Sequence, residues 1–191
     1  MTPKSFVFDA ESHVYTVDGL IVPSVTQVLQ SAGLIDFSCV PKSVLERAAD
    51  FGNAVHKATA LEDKGELDHF TLDISLQKPL DAWNKFKKDF KFVSSIIERP
   101  MYCEKYGFAG TPDRIGTIGR DDVLVDIKTG VMTKTIALQT AGYEILAPFR
   151  IARRIGVQLN MDGTYKIEEY KDKTDRRVFL SCLNVANWKQ K

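Results

Sequence analysis

Cysteine is scarce in this 191-residue chain. Cys39, Cys103 and Cys182 are far apart and odd in number, and no C-x-x-C pair occurs. That argues against a structural zinc or a four-cysteine iron–sulfur cluster and for a reducing, cytosolic setting. Long apolar runs are missing too. No run approaches the roughly 18 residues of a spanning helix, and the opening MTPKSFVFDAESHVY has no apolar signal-peptide core, so neither membrane insertion nor standard secretion is expected. Net charge is almost nil: 26 Lys and Arg against 25 Asp and Glu leave +1. No global field announces a polyanionic partner, and nucleic-acid contact would need a local patch. A phosphate-cradling G-x-x-x-x-G-K-[ST] loop is absent as well, so ATP-driven work such as unwinding falls to a separate partner.

What is present suits one soluble domain: 44% hydrophobic residues can build a core and 27% charged residues can solvate it. Charge is unevenly spread. Residues 1–149 carry 16 basic and 20 acidic side chains, whereas 150–191 carry 10 and 5. Short β-type runs at 5–8 and 13–17, with Asp18-Gly19 before Leu20-Ile21-Val22, predict an N-terminal hairpin. Ser24 is a plausible N-cap for a short helix stopped by Gly33. Val44, Ala48, Phe51, Val55 and Ala58 form a helical stripe over 42–63, and Leu76, Leu80, Trp83, Phe86 and Phe90 form another over 75–92. Strands are predicted at 92–103, 108–118 and 123–127, a helix over 133–149, a hairpin around Asp162-Gly163, and a last helix from Thr174 or Asp175 to Trp188. The order predicts one α/β domain with a mixed sheet. Its parts are an N-terminal hairpin and helix (1–40), a core (41–149) and a basic C-terminal part completing the fold (150–191).

The informative segment is the hairpin from Gly110-Thr111-Pro112-Asp113 to Asp126-Ile127-Lys128-Thr129-Gly130. A four-residue loop, 119–122, would set Ile118 opposite Val123 and Asp113 opposite Lys128. Asp113, Asp126 and Lys128 would then share one face, because side chains alternate with period two and opposed residues lie on the same side. A one-residue slip would send Asp113 to the other face. Two nearby carboxylates that stay ionised favour a hard divalent cation, Mg²⁺ or Mn²⁺ rather than Zn²⁺. Such a cation polarises a phosphoryl oxygen and acidifies water, and a neighbouring lysine offsets transition-state charge. This apparatus suits phosphodiester hydrolysis. Read alone, Asp126-x-Lys128 is an ordinary ion pair on a solvent-facing edge strand, and only its neighbours, Asp113 and the glycines at 110, 116, 119 and 130, shift the reading.

The two halves of this hairpin resemble motifs II and III of the PD-(D/E)xK nuclease superfamily. The RecB-type branch adds G-x-x-x-H upstream, here Gly52 to His56, and Q-x-x-x-Y downstream, here Gln139 to Tyr143. Residues 15–19 and 22–26 (YTVDG and VPSVT) are similar to the opening of small phage and bacterial DNA exonucleases. The resemblance spans residues 13–147. It implies a restriction-endonuclease-like core, with a mixed central sheet flanked by helices, and Mg²⁺- or Mn²⁺-dependent DNA cleavage. It implies catalytic roles for Asp113, Asp126 and Lys128, and metal ligation by His56, Asp113, Asp126 and the carbonyl of Ile127. Gln139, Tyr143 and Thr129 would touch DNA or support the ligands, and Glu98 would support the ligands or hold a second metal. Arg150, Arg153 and Arg154, which follow the Gln139 helix, are candidates for phosphate contact.

The expected activity is therefore a cytoplasmic exonuclease, of a bacterium or an infecting phage, on single-stranded DNA or DNA ends. A helicase or recombination protein is the partner expected beside DNA. The alternatives are a structure-specific or CRISPR-associated endonuclease, against whose iron–sulfur form the cysteine count argues, and a non-catalytic DNA-end-binding accessory.

Overall fold

The structure, a computed structural model, describes residues 5–36 and 38–189; the outermost residues of the expected domain, 1–4 and 190–191, fall outside it. The chain opens with a three-stranded antiparallel sheet, β1 (Phe6–Asp9), β2 (Val14–Val17) and β3 (Leu20–Val22), followed by α1 (Val25–Ser31). Ser24 begins α1 through a reciprocal cap: its Oγ accepts from the Gln27 N–H at 3.1 Å, and Gln27 Oε1 accepts from the Ser24 N–H at 2.9 Å. Two longer helices follow, α2 (Lys42–Lys64), closed by the left-handed Gly65, and α3 (Ile74–Phe90). Then come β4 (Val93–Ile97), β5 (Met101–Cys103), β6 (Phe108–Gly110), β7 (Arg114–Ile118), β8 (Asp121–Lys128), α4 (Thr135–Leu146), β9 (Arg153–Leu159), β10 (Tyr165–Glu169) and α5 (Asp175–Lys189).

The central sheet runs β10-β9-β8-β7-β4. It is mixed: β8 and β9 are parallel, joined by the α4 crossover, and the other pairs are antiparallel. One face packs Leu124 and Ile115 against α1, α4 and α5; the other packs Val123, Val125 and Ile127 against Trp83 and Phe86 of α3 and Val55 of α2. Burial of Phe86 alone contributes about 2 kcal/mol or more. This is the α/β architecture expected, with a mixed central sheet flanked by helices and an N-terminal hairpin. Among the described residues, no helix is long and apolar enough to cross a membrane.

Several expectations need correction. β8 is central and buried on both faces, so the reading of Asp126 and Lys128 as an ion pair on a solvent-facing strand fails. The β7–β8 connection is two residues, Gly119-Arg120, with Gly119 at φ +63°, so Ile118 faces Asp121. The ladder is displaced by two residues from the one expected. One step beyond Arg114↔Val125, Asp113 stands beside Asp126 rather than Lys128. A shift of two preserves the side-chain face, which is why the convergence survives the error.

The expected strand over 92–103 breaks at Glu98-Arg99-Pro100, where Glu98 takes φ +46° and Pro100 cannot donate to a ladder. The strand expected over 108–118 likewise breaks at Thr111-Pro112. The stripe on α2 is buried only at Val55 and Ala58: Phe51 is half-buried, and Val44 and Ala48 in the first turns are exposed.

Candidate metal centre and its cleft

Val55 and Ala58 bury one side of α2, and the adjoining positions His56, Thr59 and Asp63, spaced by three and four, face the ends of β4 and β7. Glu98 sits where β4 ends. Its left-handed backbone is unusual for a residue with a Cβ, and its N–H donates to the Asp113 carbonyl at 3.0 Å. Asp113 lies just before β7, and its Oδ2 accepts the Ile127 N–H at 2.6 Å. His56 Nδ1 stands 3.4 Å from Asp113 Oδ1 and 3.5 Å from Glu98 Oε1. One ligand atom from each of His56, Glu98 and Asp113 lies within 4.8 Å of the other two. An imidazole and two carboxylates at that spacing fit a divalent cation with mainly oxygen ligands.

Asp126 stands next to this group rather than in it. It is 1% exposed, and neither carboxylate oxygen has a hydrogen-bond partner of suitable geometry, although Lys128 Nζ forms an ion pair with Oδ2 at 2.7 Å. Burial pushes its carboxyl up to about 6, against the pull of Lys128. A buried carboxylate that has this ion pair but no hydrogen bond, beside His56, Glu98 and Asp113, fits a cation too. Burial opposes the charge on Lys128, but Asp126 and Asp113 outweigh it and raise the ammonium above its ordinary value. Burial would likewise lower His56, yet Asp113 and Glu98 turn the balance upward. Glu98 is held below the usual carboxylate range despite its burial, by His56 and Arg114.

His56, Glu98, Asp113 and Lys128 line an open cleft of about 590 Å³ that also takes in Thr111, Gln139 and Tyr143, with Asp126 buried behind Lys128. Gln139 Nε2 donates to the Tyr143 hydroxyl at 3.2 Å. Burial and the two aspartates keep that phenol well above its ordinary value, and so protonated. Ile127 contributes a side chain to the core and its N–H to Asp113. Thr129 lies past the end of β8, close under Gly52, where an added Cβ would stand 3.6 Å from Thr129 Oγ1.

The structure does not bring Arg150, Arg153 and Arg154 to this cleft. They line a separate hollow of about 480 Å³, and along β9 Arg153 and Arg154 stand about 15 Å from the level of Lys128, at ~3.3 Å per residue. Arg153 is engaged by Glu169 at 3.0 and 3.3 Å. Arg154 is buried and held by Asp175, Glu144 and the carbonyls of Ala137 and Asp172. It ties α4 and α5 to β9. Of the remaining histidines, His69 pairs with Glu62 at 3.1 Å, whereas His13 is exposed and lines the cleft.

One residue escaped the sequence reading. Arg114 is fully buried and reaches Asp63 Oδ2 (2.7 Å), Thr59 Oγ1 (3.0 Å), Glu98 Oε1 (3.2 Å) and the Asp113 carbonyl (2.6 Å). It thereby fixes both carboxylate-bearing segments to α2. The signals available were a cation inside the apolar run 114–118 and the helical spacing of Thr59 and Asp63 from His56.

No family model matches the chain, and no curated protein matches its sequence. Among solved structures, an alkaline exonuclease from Laribacter hongkongensis is similar at 14% identity and a TM-score of 0.42, over 87% of this chain and 91% of that one. The structure of SSO0001 is similar at 18% identity and a TM-score of 0.38, over 59% of this chain. That match spans only 58% of SSO0001's own length.

Proposed function

We propose that this protein is a Mg²⁺- or Mn²⁺-dependent deoxyribonuclease of the PD-(D/E)xK type, working as an exonuclease on single-stranded DNA or DNA ends. The observation that carries the reading is the convergence of His56, Glu98 and Asp113, from three separate elements, beside the buried pair Asp126 and Lys128. His56, Glu98, Asp113 and Asp126 would hold the cation. Once bound, the cation supplies positive charge to a phosphoryl oxygen that becomes more negative in the transition state. Lys128, kept cationic by two aspartates, faces the same oxygens and adds to that stabilisation. The Tyr143 hydroxyl, its oxygen engaged by Gln139, keeps its own proton to donate to the phosphate.

The test is to incubate the protein with end-labelled single- and double-stranded DNA and with closed circles, in Mg²⁺, Mn²⁺ or EDTA. The reading expects a ladder from one terminus that needs the metal and disappears in Lys128→Ala. Cutting of closed circles would replace the exonuclease with an endonuclease. DNA retention without cleavage in either metal would replace the enzyme with a binding module.

A further inference from the structure

The N-terminal sheet brings an array of aromatic rings to the mouth of the cleft. Phe8 stacks on Tyr15, with centroids 4.5 Å apart, and His13 stands edge-on to both at 5.2 and 5.6 Å. The array continues from Tyr15 through Phe6 at 6.3 Å to Tyr102 at 5.9 Å. Its anchor is the buried Tyr15, whose hydroxyl lies 2.8 Å from Thr111 Oγ1, two residues before Asp113. The two ends open into two different hollows. Phe8 and His13 line the cleft that holds His56, Asp113 and Lys128, and Phe6 and Tyr102 line a neighbouring groove of about 430 Å³ alongside the exposed Arg99. His13 is itself exposed and holds a left-handed backbone (φ +53°), uncommon for a residue with a Cβ.

We infer that this ridge is a nucleobase-stacking platform: an unpaired strand stacks a base in the corner formed by the perpendicular rings of Phe8 and His13, face-on to one and edge-on to the other, beside the carboxylates, and runs on toward Phe6, Tyr102 and Arg99. Bases paired inside a duplex cannot offer their faces to these rings, so the platform selects single strands. It is indifferent to sequence, because every base has a π face. The inference rests on the nuclease reading only in taking the cleft to receive a polynucleotide.

Binding is measured by fluorescence anisotropy with Ca²⁺ as the cation, on three probes of equal length: oligothymidylate, the same backbone with abasic sites, and a blunt duplex. The wild type should bind oligothymidylate about tenfold more tightly than the abasic strand, the size expected for one or two stacked bases. His13→Ala, at an exposed position, and Phe8→Leu, which keeps apolar volume under Tyr15, should each weaken oligothymidylate binding severalfold. Both should leave the abasic strand and the duplex unchanged. Equal affinity of the wild type for the thymidine and abasic strands overturns the platform, as does equal weakening of all three probes in the variants. A base-dependent preference that persists in a protein unable to cut any DNA with Mn²⁺ supports the platform and overturns the nuclease reading.

Discussion

Arg114 and Asp63 form a buried ion pair, Nε to Oδ2 at 2.7 Å, with the guanidinium fully enclosed and the carboxylate side chain 2% exposed. Trp83 Nε1 and Lys87 Nζ complete the carboxylate at 2.9 and 2.7 Å. The pair joins α2 to the sheet one step from Asp113, so the cleft's geometry depends on a cluster that lies beneath it. A lone buried arginine would be very costly, and the surrounding acceptors make it tolerable.

Asp63→Asn should destabilise the fold by about 3 kcal/mol at neutral pH, because it takes away the carboxylate shared by Lys87 and Arg114 and leaves the buried guanidinium only the more exposed Glu98 as counter-charge. Burial opposes ionisation of Asp63, but Lys87, Arg114 and Trp83 hold its carboxyl below the ordinary value of 3.8. A carboxyl depressed in the folded state contributes stability above its unfolded pKa and loses it as pH falls through the folded one. The gap between wild type and variant should therefore be full at pH 7 and shrink only below about pH 4. Urea denaturation across that range checks this, and a constant gap would refute it.

Asp126 predicts the opposite sign. Its carboxyl is raised from 3.8 to about 6, so the folded, metal-free protein binds a proton that the unfolded chain releases, and stability falls as pH rises from about 4 to about 6. Asp126→Asn should melt higher than the wild type in EDTA at pH 7.5, by an amount worth about 1–2 kcal/mol, with the advantage fading below pH 6. The same variant should lose cleavage. A lower melting temperature in EDTA at pH 7.5 would show that the ion pair with Lys128 outweighs the cost of burying the charge.

Glu98→Gln and Asp113→Asn should each lower Mn²⁺ affinity about tenfold or more, read by titration calorimetry, since each removes a charged ligand from the group. Gln139→Ala should change Mn²⁺ affinity little, because its amide reaches the Tyr143 hydroxyl rather than the ligand atoms. Equal losses in all three would mean that the ion sits elsewhere in the cleft.

Gly116→Ala should cost about 3 kcal/mol. A Cβ there would lie 2.1 Å from the Val93 carbonyl oxygen and 2.8 Å from the Phe92 ring, so β4 must move away from β7. Because β4 leads into Glu98, Mn²⁺ affinity should fall along with the chemical-denaturation midpoint. Retained stability would show that the edge strand yields freely.

The Asp113, Asp126 and Lys128 triplet was legible because strand alternation depends only on parity, so an error of two residues in loop length left the face unchanged. His56 was legible as a helix position four residues after Gly52. Glu98 was legible as a carboxylate that supports the ligands or holds a second metal, but its grouping with His56 and Asp113 was not, since the strand break at Glu98 and Pro100 swings it toward Asp113. That the arginines at 150, 153 and 154 line a hollow apart from the cleft was not legible for a similar reason. Sequence proximity to the Gln139 helix says nothing of the crossover that carries β9 back to the far end of β8.

What the sequence determined by itself is local: the period of each helix and strand, the caps at Ser24 and Gly65, the punctuation by proline and glycine, and the chemistry each segment can supply. What only the tertiary structure decided is which of those chemistries meet. Glu98 comes within reach of His56 and Asp113, Arg114 finds Asp63, and His13 reaches the cleft through the packing of elements distant along the chain. Those contacts depend on loop length, strand order and the burial of charge, none of which a one-dimensional pattern encodes.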